Sequence, residues 1–74
     1  MHLATRALAE GQINIRQFAL AHYIHWENWR APHSFYDAEN LFQVSQGVLR
    51  QDINRLEAVG VIWESHSGMY KTSW

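Results

Sequence analysis

The run VSQGVLRQDINRLEAVGVI, residues 44–62, admits few folds. Ser45 is a helix-capping residue placed just ahead of Leu49, Ile53 and Leu56, whose spacings of four and three put them on one face of a helix. Gly60 then ends that helix, because glycine takes the left-handed C-terminal position without a Cβ penalty, and apolar Val59 and Val61 flank it. Val61–Ser65 and Met69–Trp74 follow, rich in β-branched and aromatic residues and joined by the short loop His66-Ser67-Gly68. A β-hairpin is therefore expected to close the chain.

Upstream, the same signals predict three more helices. Leu3, Ala4, Ala7 and Leu8 recur at helical spacing over residues 2–10, with Gly11 as the stop. Asn14 caps a second helix with Gln17 as its capping-box partner, and Ile15, Phe18, Ala19, Tyr23 and Trp26 are expected on its core side. That helix should end near Trp29 or Arg30, since Pro32 disfavours helical geometry at Ala31. Ser34 with Asp37 repeats the capping pattern and predicts a third helix from Phe35 to Leu41 or Phe42.

With 74 residues and no internal repeat, residues 1–74 read as a single domain. Its 47% hydrophobic content and four tryptophans supply a core, which separates it from a disordered tail. The absence of cysteine removes disulfides and thiolate metal sites and suits a cytoplasmic location. No apolar run approaches the roughly 20 residues of a membrane span, and the first residues lack a signal-peptide core, so no membrane partner is expected. The formal net charge of −1 lacks the basic excess that nucleic-acid binders usually carry, so a DNA-binding role must rest on local geometry.

Helices followed by a terminal hairpin, with a tight turn between a short helix and a longer capped one, make a mainly α fold with a C-terminal β-hairpin, the winged helix-turn-helix. The 44–62 run resembles the recognition segment of DeoR-type bacterial repressors, whose pattern is Val-Ser, then Ile-Arg-x-Asp-Leu, then Leu-Glu-x-x-Gly-x-Ile. Val44, Ser45, Leu49, Arg50, Asp52, Ile53, Leu56, Glu57, Gly60 and Ile62 match it or substitute closely. Residues 13–20, INIRQFAL, are similar, more loosely, to the start of the core helix in MarR-type regulators. Together the resemblances cover residues 13–68. They imply a transcription regulator with its recognition helix at about 46–59 in the major groove and its wing at about 61–74 on the backbone. The effector-binding domain of full-length DeoR-type proteins has no counterpart in the sequence, so small-molecule induction is not expected.

If Leu49, Ile53 and Leu56 face inward, Gln46, Gly47, Arg50, Gln51 and Asn54 share the opposite surface. Arginine can donate twice to guanine, glutamine and asparagine can pair with adenine, and a glycine lets the backbone approach. These five, with Ser45 at the helix start and Lys71 on the wing, are the candidate DNA-binding set; Arg16, Arg30, Arg50 and Lys71 are the candidate phosphate contacts. The bland alternative is a solvated polar face, as on most helices. Asp52 and Glu57 are expected on the flanks, holding Arg55 or a helix end.

His22 and His25 stand three apart on a helix, with His2, His33 and His66 elsewhere; a zinc site needs about four convergent ligands, so ordinary histidines and no metal are expected. No nucleophile, carboxylate pair or phosphate loop marks a catalytic site, and neither an enzyme nor a cofactor is expected. So small a core can hardly bury Trp26, Trp29, Trp63 and Trp74 together, and the surplus serves either partial burial or a partner surface. The expected partner is double-stranded DNA, bound as a homodimer with Leu3, Leu8 and tryptophans between protomers, because two half-sites multiply contacts. A winged helix used as a protein-interaction module is the alternative, which the net negative charge and the tryptophans favour.

Overall fold

Local signals at each helix end set the order of elements. A computed structural model describes residues 2–74, with helices α1 (Leu3–Ala9), α2 (Ile15–Glu27), α3 (His33–Phe42) and α4 (Gln46–Ala58), then strands β1 (Ile62–His66) and β2 (Met69–Thr72). The fold is mainly α with a C-terminal antiparallel hairpin. Among the described residues no helix is long and apolar enough to cross a membrane.

The capping box of α2 forms as its spacing requires: the Asn14 side chain accepts from the Gln17 amide at 2.8 Å, and the Gln17 side chain accepts from the Asn14 amide at 2.9 Å. Ser45 caps α4, its Oγ accepting from Val48 N–H at 3.3 Å. At the other end the Val61 amide reaches Leu56 O at 2.9 Å and the Gly60 amide Glu57 O at 3.1 Å, with Gly60 at φ +82°, a Schellman stop.

Two boundaries differ from the sequence expectation. α2 ends at Glu27, two or three residues early, because Asn28 takes a left-handed cap at φ +52° and the chain then turns Trp29 into the core. α3 starts at His33 with Pro32 at the capping position and no side-chain cap, so Ser34 and Asp37 do not form a capping box. The Ser34 hydroxyl instead reaches back to accept from the Arg30 amide at 2.8 Å.

The α2–α3 connection is tied to the hairpin. Arg30 forms an antiparallel bridge with Met69, and the Ala31 amide donates to Gly68 O at 2.8 Å. Gly68 sits at φ +77°, which makes glycine the residue of choice for the turn, and a Cβ there would also press on the Ala31 Cβ at 3.2 Å. The hairpin pairs Ile62 with Thr72, Trp63 with Lys71, Glu64 with Tyr70 and His66 with Met69, with an irregularity at Ser65.

The core joins all four helices to the start of β1, with Leu20, Ile24, Trp29, Leu49, Leu56 and Ile62 among its buried members. Leu49, Ile53 and Leu56 are buried as their spacing predicts. The buried face of α2 is not the expected one. Leu20, Ala21 and Ile24 are buried, Phe18 and Tyr23 lie half-buried at the core edge, and Ile15 and Trp26 are 72% and 75% exposed. α2 is apolar almost all round, so its own periodicity could not choose a side. In α1, Ala4 and Ala7 are buried and Leu8 half-buried, while Leu3 is exposed.

Candidate functional site

The connection between α3 and α4 is three residues, Gln43-Val44-Ser45, with Gln43 in the left-handed conformation at φ +57°. A left-handed residue followed by an extended capping serine redirects the chain sharply, so two helices leave the turn at an angle with α4 against both α2 and α3. The side of α4 turned from the core carries the predicted residues. Gly47, Arg50, Gln51 and Asn54 are exposed there and Gln46 is half-buried.

Their chemical availability differs. The Gln51 and Asn54 side chains make no hydrogen bond among the described residues, so their donors and acceptors are free for another molecule. Arg50 is partly engaged: its guanidinium carbon lies 4.7 Å from the Phe35 ring centroid, and the Gln46 amide, with its oxygen turned to Arg50, accepts from Nη2 at 2.8 Å. These contacts pre-orient the guanidinium without placing a carboxylate against it. Gly47 has helical backbone, and a Cβ there would meet only Ser45 Oγ at 3.8 Å, an ordinary contact. Nothing inside the fold requires that glycine.

The back of α4 is pinned by charge. Asp52 is buried at 2% exposure; Arg16 donates to it through Nε at 2.7 Å and Nη2 at 3.0 Å, and Gln17 Nε2 donates to the same carboxylate at 3.0 Å. The hydrogen bond to Asp52 raises the Arg16 pKa above its ordinary value, with burial opposing. This overturns one expectation, since Asp52 holds Arg16 rather than Arg55; Arg16 is thereby charge-paired at the half-exposed edge of the fold instead of standing unpaired for phosphate. Arg55 donates instead to the Gln12 carbonyl at 2.7 Å, tying α4 to the α1–α2 turn.

No match to this chain is found among protein families, curated proteins or solved structures. Its own geometry must carry the functional reading.

Lys71 does not join the α4 group. Tyr70 points its phenol to within electrostatic reach of Glu57, Glu64 and Arg50, with burial the main cause of its raised pKa. Side chains alternate along a strand, so Lys71 lies on the other face of the hairpin, across from Trp63. Of the tryptophans, Trp29 alone is in the core; Trp74 is half-buried, and Trp63 and Trp26 are exposed.

The histidines are at the surface or partly buried, as expected, but three of them gather in a way their spacing did not predict. His2, His22 and His25 converge around Trp74, although no group of three ligands that could hold a metal ion occurs among the described residues. The His22–His25 spacing was the one sequence signal of this cluster; the approach of His2 and Trp74 is tertiary. For Asp52 the signal was its position three after Leu49 and four before Leu56, on the buried stripe itself.

Proposed function

We propose that this chain is a winged helix-turn-helix that binds double-stranded DNA sequence-specifically, with α4 in the major groove, as a small cytoplasmic transcription regulator acting by operator occupancy. The observation that carries the reading is the outer face of α4: Gly47, Arg50, Gln51 and Asn54 exposed together on a helix whose opposite side is fixed by the buried Asp52 network. Such a face supplies guanine and adenine donors and acceptors at the start of a helix, where groove-reading helices present them. Gly47 supports it further, because a glycine with no internal purpose disfavours the helix yet leaves room for a phosphate or base edge. The half-site footprint of one such module favours a homodimer.

A protein-interaction module is the second reading, favoured by the exposed Ile15 and Trp26 on α2 and by the net charge of −1. Repeated selection of duplexes from a random pool on the purified protein separates the two. A DNA-binding regulator enriches a short motif, and Gln51→Ala or Asn54→Ala relaxes the preference at one position of it. A pool that stays random after several rounds overturns the DNA reading in favour of the second.

A further inference from the structure

His2 and His22 stack with ring centroids 5.4 Å apart and planes 19° from parallel, and the Trp74 indole meets His2 edge-on at 4.2 Å. Phe18 closes the far side of His22 at 4.6 Å. On the other face of Trp74, His25 stacks at 5.1 Å and 15°, its Nδ1 lying 2.7 Å from Thr72 Oγ1. The Thr72 hydroxyl donates to the Trp74 carbonyl at 3.2 Å, which makes the His25 nitrogen the donor. These rings form the polar-edged seam between the start of α1, the segment after β2 and α2, beside the packing of Ala4 and Ala7 in the core.

We propose that this seam is an acid-labile clasp, whose protonation detaches α1 and Trp74 from α2 while the α2–α4 core stays folded. The inference does not depend on the DNA reading.

Three features carry it. The first is the cap of α1: His2 Nδ1 accepts from the Ala4 amide at 3.2 Å, and an imidazolium has no acceptor, so a proton there uncaps the helix. α1 has seven residues, too few to persist without its cap and its packing on α2. The second is the burial of the ring nitrogens. Nε2 of His2 and Nε2 of His22 are both buried with no hydrogen-bond partner, so a charge on either is poorly solvated.

The third is the company the rings keep. The charged or titratable groups around the seam are His2 from α1, His22 and His25 from α2, and Tyr70 and Lys71 from β2, which line the cleft beside His25 and Trp74; no carboxylate lies within ion-pair distance of these rings among the described residues. Tyr70, its pKa raised by burial, stays neutral at acid pH, and all the others are positive when charged. A charged His25 would gain from the indole face, but it would repel a charge on His22. Metal ligation is no alternative use of His2 Nε2, because the Ala4 bond leaves the proton of the neutral ring on that nitrogen.

Burial, then His2 and His25, push the His22 pKa below its ordinary value. The released form, with a histidine pKa of about 6.5, therefore takes up the proton first. Clasp stability is complete above about pH 6.5 and is lost as pH falls toward the lower pKa of the docked form.

The test follows the amide resonances of α1, the Trp74 indole resonance and the amides of Leu49 and Ile53 in ¹⁵N-labelled protein, from about pH 8 to about pH 5. The α1 and Trp74 signals are expected to lose their folded positions together, below about pH 6.5, while the Leu49 and Ile53 signals hold. His22→Phe keeps an aromatic ring but removes the buried ring nitrogen, and His2→Asn keeps a capping acceptor with no ring to protonate; each variant should lower the midpoint. The proposal is overturned if no change occurs above about pH 5, if all signals are lost with one midpoint, or if both variants titrate as the parent does.

Discussion

Arg16 and Asp52, 36 residues apart in the chain, meet in a two-pronged ion pair with Nε–Oδ2 at 2.7 Å and Nη2–Oδ1 at 3.0 Å. The pair is asymmetric: the Asp52 side chain is 2% exposed and that of Arg16 38%. It joins the first turn of α2 to the middle of α4, so the helix that presents the polar face is held from behind.

That asymmetry predicts unequal costs. Arg16→Met strands a buried carboxylate with Gln17 alone and should destabilise by roughly 2–4 kcal/mol, whereas Asp52→Asn leaves a guanidinium that reaches water and should cost roughly 1–2 kcal/mol. Urea unfolding of both variants measures the difference. Equal costs would show that Asp52 finds other partners.

Gly47→Ala should move stability and binding in opposite directions. Alanine adds no clash, because its Cβ would meet only Ser45 Oγ at 3.8 Å, and it favours the helix by up to roughly 1 kcal/mol. If DNA approaches the α4 backbone there, the same methyl group should weaken affinity for the selected duplex several-fold. A variant that gains stability and keeps full affinity removes Gly47 from the interface.

Arg50→Ala should cost roughly 1–3 kcal/mol against the selected duplex, with a much smaller loss on random DNA, because the guanidinium is the cation centred on the outer face of α4. Its contact with Phe35 makes a fold contribution of only about 0.5–1 kcal/mol, as expected for an exposed cation–π pair. Circular dichroism melts and binding titrations on the same samples distinguish the two losses.

The response to salt should be shallow. With Arg16 bound to Asp52 and Lys71 on the hairpin face turned from α4, the expected phosphate contacts reduce to Arg30 and Arg50, and log K should fall against log salt with a slope of roughly −2 per protomer. Titrations at several ionic strengths give the slope; a value near zero argues for a protein partner.

The exposed side of α2 is the face to test for self-association, since Leu8 has turned toward the core. Ile15→Ser with Trp26→Ser should change stability little, by about 0.5 kcal/mol at each exposed site, yet convert a dimer into a monomer in sedimentation. A variant that still dimerises assigns the contact elsewhere.

Much of the fold was legible because its signals are local. The Asn14–Gln17 capping box, the Ser45 cap, the Leu49-Ile53-Leu56 stripe and the Gly60 stop each act within about one helical turn, a span over which backbone and side-chain geometry follow from residue type. The outer face of α4 was legible for the same reason, as the complement of one clear stripe. Ser34 misled because a hydroxyl near a helix start can bond either its own helix or the chain before it, and here the Arg30 amide claims it.

By itself, then, the sequence determined the number and kind of elements, the polar face of α4 and the hairpin that closes the chain. Tertiary structure alone decided which side of α2 is buried, that Asp52 takes Arg16, that Lys71 faces away from α4, and that three histidines gather on Trp74. The physical reason is that these depend on which of several equally apolar faces packs best and on the meeting of side chains far apart in the chain. Neither is written in the periodicity of any one segment.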